Sequence, residues 1–127
     1  MNDDEFLASL REDFAMESHD LLDAAESEIL LMEKDQNTQH LIEINRSLHS
    51  LKGSARAVGF TEFSQILHEV ETLISKASKP FNHSTQFLTH LLQIIDAFKN
   101  LTSAHAENSL PDIQSNLTKL KNLLNKI

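Results

Sequence analysis

Apolar residues recur every three or four positions along this chain and never alternate over a strand-length stretch. That spacing predicts helices with one buried stripe each. The clearest row is Leu41, Ile44, Leu48, Leu51, Ala55 and Val58. It predicts a helix capped by Asn37 or Thr38 that runs to Val58, with Gly59 as its left-handed C-terminal residue. Ahead of it Leu7, Leu10, Phe14, Leu21, Ala25, Ile29 and Met32 keep helical spacing as far as Glu33. Asp3, Asp4 and Glu5 place negative charge where a helix N-terminus favours it. This first row skips a turn at Glu17 and Ser18, so its first part is expected to project beyond the core. Lys34 to Asn37 reads as a short connection.

Thr61 is expected to cap a third helix, with Phe63, Ile66, Leu67, Val70, Leu73 and Ile74 on its apolar side. Ser78 to Ser84, with Pro80 and Asn82, reads as a loop. A fourth helix carries Leu88, Leu91, Ile95, Phe98 and Leu101, and Ala104 to Ser109 is polar. Ser109, Pro111 and Asp112 mark the start of a fifth, with Ile113, Leu117, Leu120, Leu124 and Ile127 along one side. Short connections between long helices favour antiparallel neighbours. The expected fold is all-α: an antiparallel up-down four-helix bundle with an additional C-terminal fifth helix, built as one domain over residues 1–127.

Composition narrows the function classes. Only two glycines and two prolines leave little turn chemistry, in keeping with few, long elements. The absence of cysteine excludes a disulfide framework and thiolate metal sites. No apolar run approaches the ~20 residues of a membrane span, and the acidic start lacks the regions of a signal peptide. A net charge of −8 disfavours nucleic acid and anionic membrane as main partners. With Gly53 and Gly59 the sole glycines, no glycine-rich phosphate loop exists. His68-Glu69 begins like a zinc-protease motif, but the position four after His68 is Thr72, and the remaining histidines are scattered. No metal is expected.

Opposite the buried stripe of the second helix runs a different row: Arg46, His49, Lys52, Gly53 and Arg56. It sets an imidazole among fixed cations on an acidic protein. Gly in a helix interior costs roughly 1 kcal/mol against Ala, so Gly53 marks either close helix packing or close approach of a partner. On the third helix His68 and Glu71 share one side. If the second and third helices form an antiparallel hairpin, His49 lies about ten residues before Gly59 and Glu71 about twelve after it. At ~1.5 Å per residue the two levels agree within about a turn. Glu71 could then accept a hydrogen bond from Nδ1 of His49, leaving the Nε2 lone pair outward and nucleophilic. Pairing of Glu71 with Lys52 is the competing arrangement, and the two are compatible.

The run His49-Ser50-Leu51-Lys52-Gly53-Ser54-Ala55, followed by Gly59-Phe60, resembles the phosphoacceptor motif of histidine-containing phosphotransfer (HPt) domains. It is most similar to the amino-terminal phosphotransfer domain of CheA-type chemotaxis histidine kinases. Phe14, Glu17, Leu21, Leu22, Glu26, Leu30 and Glu33 resemble that family's first helix, and His68 and Glu71 fall where it places a His and a Glu around the phosphoacceptor. The resemblance covers the first three helices in detail and the last two by pattern and length. It implies that His49 is phosphorylated, that Lys52 stabilises the phosphoryl group, that Gly53 leaves room for a receiver domain, and that Glu71 orients the imidazole with support from His68.

Receiver domains carry an acidic, magnesium-binding pocket, which Arg46, Lys52 and Arg56 would complement. Arg56 does not map to a role that the resemblance implies, and its docking part is read from charge alone. The implied partners are a histidine kinase catalytic domain and response-regulator receivers. They would supply ATP and magnesium to a domain that holds no cofactor and catalyses nothing alone, unless it is part of a CheA-like kinase. A monomeric, cytoplasmic domain is implied. A non-phosphorylated adaptor bundle and a small metal-binding bundle are the rival classes.

Overall fold

A computed structural model describes residues 2–77 and 85–125, with side chains at all of these but 77 and 85. Helices α1 (Asp3–Asp35), α2 (Gln39–Ala57), α3 (Thr61–Ala77), α4 (Thr85–Ala106) and α5 (Leu110–Leu124) account for almost all of it, and no strand occurs among the described residues. The loop expected over Ser78 to Ser84, and Ile127 of the fifth apolar row, lie outside the described residues.

At 33 residues α1 is far longer than the 19-residue α2. At ~1.5 Å per residue it spans about 50 Å against about 28 Å. Its buried row starts only at Phe14. Leu7, expected in the core, is 50% exposed beside Phe6 at 53%, and Leu10 is half-buried. Glu17 stands level with Ser54 of α2, so residues well before it run past the turn at Gly59 and find nothing to pack on. The apparent gap in the row is closed by Ser18, which is fully buried and donates its hydroxyl to the Phe14 carbonyl at 2.6 Å. Leu22, not Leu21, then continues the stripe through Ala25, Ile29 and Met32.

The helix ends follow local chemistry. Gly59 has φ +79°, with Phe60 N–H donating to Ala55 O and Gly59 N–H to Arg56 O, the paired bonds of a Schellman ending. Asn108, φ +54°, closes α4 in the same way, with bonds from Ser109 to Ala104 and from Asn108 to His105. The segment from Ala104 was expected to be a polar connection; α4 instead continues to Ala106 and buries Ala104. Of the two candidate caps of α2, Asn37 does the bonding, its Oδ1 accepting from the Gln39 N–H, while Thr38 makes no cap bond. Thr61 is the first residue of α3 rather than its cap. Ser109 precedes α5 as expected, but its hydroxyl goes to Asp112 Oδ2 and not to a backbone N–H.

Packing is antiparallel between neighbours. Pairs Ser54–Glu17 and His40–Glu28 run in opposite order along α2 and α1, as do Phe14–His105 and Glu26–Lys99 along α1 and α4. α1 lies between α2 and α4, α2 packs on α3, and α5 lies along α4 with a smaller contact to α3. Phe63 and Phe98 join α3 to α4 across the centre, ring centroids 5.4 Å apart. Covered by both α1 and α5, α4 buries Ile94, Ile95, Ala97 and Phe98 together. The result is the expected all-helical bundle. No described helix is long and apolar enough to cross a membrane.

Polar ties lock the arrangement. Lys99 bridges from α4 to Asp23 and Glu26 of α1, both at 2.9 Å. His90 donates Nε2–H to the Leu123 carbonyl at the end of α5. At the α1–α2 turn His40 faces a carboxylate from each ring nitrogen: Nδ1 to Glu28 at 2.6 Å and Nε2 to Asp35 at 2.7 Å. Both nitrogens can donate only in the imidazolium form. Bonds from Asp35 and then Glu28 raise the His40 pKa, although the first turn of a helix disfavours a cation. His105 is the opposite case. It stacks on Phe60 and meets the edge of Phe14, and burial, with the charge of Arg11, lowers its pKa.

A raised folded-state pKa contributes stability that is full below the ordinary His value of about 6.5 and is lost as pH climbs through the folded value. Thermal melts of the wild type from pH 6 to 9 should therefore show an alkaline decline that His40→Gln flattens. Equal slopes in the two proteins would mean that the clamp is not charged. The lowered pKa of His105 acts the other way, its contribution falling as pH drops below the ordinary value.

Candidate functional site

The site is the outer face of α2 together with the near edge of α3. Leu48, Leu51 and Ala55 turn inward, so His49 is carried outward and its side chain is 70% exposed. Its Nδ1 lies 3.2 Å from Glu71 Oε2, the contact that counting from Gly59 predicts. The other oxygen of Glu71 lies 3.0 Å from Lys52 Nζ. The two arrangements weighed in the sequence thus coexist, one carboxylate bridging two residues of α2. Glu71 and Lys52 are sheltered, with side chains 17% and 12% exposed. Such a pair is less screened by solvent and salt than a surface one. Glu71 accepts from Nδ1–H, which leaves the Nε2 lone pair on the exposed side of the ring.

Lys52 therefore lies back against Glu71 and does not extend along the helix surface. Arg46, one turn before His49, is tied to Glu43 at 2.6 Å on the exposed surface. Arg56 is exposed and has no hydrogen-bond or ion-pair partner among the described residues. With Ser64, Gln65, His68 and Glu69 it lines a shallow depression between α2 and α3.

His68 was expected to support Glu71, but its exposed side chain makes no hydrogen bond or ion pair among the described residues. Three residues before Glu71 on a helix antiparallel to α2, it sits one turn nearer the hairpin, beside Arg56 instead of His49. Gly53 is exposed, and a Cβ built there meets nothing within 4 Å. Close helix packing is thereby removed as the reason for this glycine.

Two polar contacts at the site carry no sequence signal. Ser54 donates its hydroxyl to Glu17 Oε1 at 2.7 Å, tying α1 to α2 just beyond Gly53. Asn45 donates Nδ2–H to the Glu71 carbonyl and to Ser75 Oγ. Asn45 breaks no periodicity, Glu17 falls at the skipped turn of the first row without naming a partner, and both partners are distant in the chain, so only a count of hairpin levels could have pointed to Asn45. Among the described residues no three His, Asp or Glu side chains gather in a way that could hold a metal ion.

The family model described as Hpt domain matches residues 9–101. That span holds His49, Lys52, Gly53, His68 and Glu71 and stops before α5. The chain is similar to the chemotaxis protein CheA of Listeria monocytogenes serovar 1/2a, at 29% identity over 102 residues, 80% of this chain and 15% of that protein. It is also similar to the chemotaxis protein CheA of Borreliella burgdorferi, at 30% identity over 115 residues, 87% of this chain and 13% of that protein. The chain thus spans at most about a seventh of the length of these curated relatives.

The open surroundings of Gly53 give a stability prediction. Gly53→Ala should stabilise the protein by roughly 0.5–1 kcal/mol, because Ala loses less backbone entropy in a helix and meets no neighbour here. Denaturant unfolding with an unchanged m-value is the measurement. A lower midpoint would put Gly53 in a packed interface after all.

Proposed function

The chain belongs to the Hpt domain family, and on that premise we propose that it relays a phosphoryl group through His49 in two-component signalling. The observation that carries this reading is the pairing of an exposed imidazole with a sheltered carboxylate at 3.2 Å. A neutral imidazole is an adequate nucleophile only at the nitrogen without a proton. Glu71 holds the proton on Nδ1, so Nε2 presents its lone pair outward. As Nε2 attacks phosphorus, the bond to the donor's leaving atom breaks and positive charge develops on the ring. The carboxylate at Nδ1–H stabilises that charge.

In the onward step the N–P bond breaks, a receiver aspartate oxygen bonds phosphorus, and the ring regains its lone pair. Lys52, 3.0 Å from Glu71, is one turn along from His49 and is assigned to the phosphoryl oxygens. Phosphoryl transfer of this kind depends on positioning and charge more than on covalent help from the protein. Nucleotide and magnesium are assigned to partners: a kinase catalytic domain as donor and a receiver as acceptor, whether on separate proteins or elsewhere in a longer chain. We place the domain in the cytoplasm, where such partners work.

Docking is assigned to the side of α2 toward the hairpin. Gly53 leaves the approach open, Arg56 there has no ion-pair partner among the described residues, and Arg46 on the other side of His49 is paired with Glu43. An acidic receiver pocket would be drawn to the first of these surfaces.

Incubation with phosphoramidate, a small donor whose P–N bond breaks with loss of ammonia, should load acid-labile, base-stable phosphate on the wild type. His49→Gln should keep its helical circular dichroism and take up none. Label on the variant, at His68 for example, would overturn the assignment.

Arg56→Glu should lower kcat/KM for transfer from phospho-His49 to a receiver by about three- to tenfold at low salt, with the deficit shrinking as salt rises. Arg46→Glu should change it less than about twofold. The reverse ranking would move the docking face to the other side of His49.

A further inference from the structure

Glu71 serves His49 only if α3 is held at one level and one rotation against α2. The buried apolar residues of the two helices, Ile44, Leu48 and Leu51 on α2 and Phe63, Leu67, Val70 and Ile74 on α3, supply area but little angular precision, since hydrophobic burial is non-directional. A carboxylate carried about 5–6 Å from a helix axis moves about 1 Å for each 10° of rotation. The His49–Glu71 contact is already 3.2 Å long, so a shift of that size ends the hydrogen bond.

Asn45 is placed to prevent it. It sits four residues before His49, on the same side of α2. Its Nδ2 donates to the backbone carbonyl of Glu71 itself at 3.3 Å and to Ser75 Oγ, one turn further along α3, at 3.0 Å. Both bonds land on the turn that carries the carboxylate. Its Oδ1 is shut off from solvent without a partner. An apolar residue would fill the position with no unpaired atom, so packing alone does not account for an amide here.

We propose that Asn45 is a positioning residue for the His49–Glu71 pair. By bonding the peptide of Glu71 and the hydroxyl of Ser75 it fixes the rotation of α3, and through it the tautomer of His49. The consequence for rate rests on the phosphotransfer reading, while the tautomer does not.

The test uses the intact 15N-labelled protein and long-range 1H–15N spectra of the His49 ring in its neutral form. Asn45→Asp keeps the shape and loses the donor; Asn45→Ala removes the group. Each should reduce the Nδ1–H tautomer toward the level seen in Glu71→Ala. Loading by phosphoramidate should slow by about three- to tenfold, and Asn45→Asp placed on Glu71→Ala should add less than about twofold, because both changes remove one interaction. An unchanged tautomer in both Asn45 variants, even with lowered Tm, would overturn the proposal, as would effects of Asn45 and Glu71 that multiply. Wild-type protein that takes no phosphate but shows the tautomer shift would sink the phosphotransfer reading and leave Asn45 standing.

Discussion

One carboxylate, Glu71, holds two side chains of a neighbouring helix, His49 through Nδ1 and Lys52 through Nζ. The rest of the molecule can be understood as what keeps that carboxylate in place. Its helix leaves the Gly59 turn by a Schellman ending, which sets the direction of α3. Buried rows on α2 and α3 close the interface, and Asn45 bonds the peptide of Glu71 directly. Ordering a charge between helices costs desolvation, which a hydrogen bond from His49 to one oxygen and an ion pair of Lys52 with the other offset. A ring mounted on regular helix in this way is held more tightly than one on a loop.

Three of the eleven Lys and Arg side chains of this protein, whose net charge is −8, lie on α2. Acidic side chains elsewhere are partly consumed in ties such as Lys99 with Asp23 and Glu26. On α2 the cations meet different ends. Glu43 pairs with Arg46, Lys52 folds onto Glu71, and Arg56, near the hairpin, has no ion-pair partner among the described residues. The surface around His49 is therefore asymmetric in charge. Gly53 adds asymmetry in shape on the same side.

Polar groups inside the bundle are each settled by a local device. Ser18 donates back to the Phe14 carbonyl within its own helix, so a small polar residue fits a row of large apolar ones. His40 and His105 occupy opposite ends of the bundle with opposite charge preferences: one is clamped by two carboxylates, the other pressed between phenylalanine rings. Neither touches the site. The difference arises from the groups packed around each ring, which lie from five to more than ninety positions away.

Five amphipathic helices, their order, the Gly59 turn, the outward face of His49 and its level match with Glu71 were all legible in the sequence. These depend on a period of 3.6 residues and a rise of about 1.5 Å, which are properties of a single helix. Gly53 was legible as an anomaly, because a glycine inside a helix is unfavourable wherever it occurs.

Tertiary structure alone decided the remainder. It left Leu7 and Leu10 outside the core, buried Ser18 and Leu22, divided the oxygens of Glu71 between His49 and Lys52, turned His68 toward Arg56, and set Asn45 on the peptide of Glu71. Periodicity reports which side of a helix is apolar. Which polar atoms meet across two helices depends on their relative rotation to within about 10°, and that is set by the sum of the whole interface, not by any local stretch of chain.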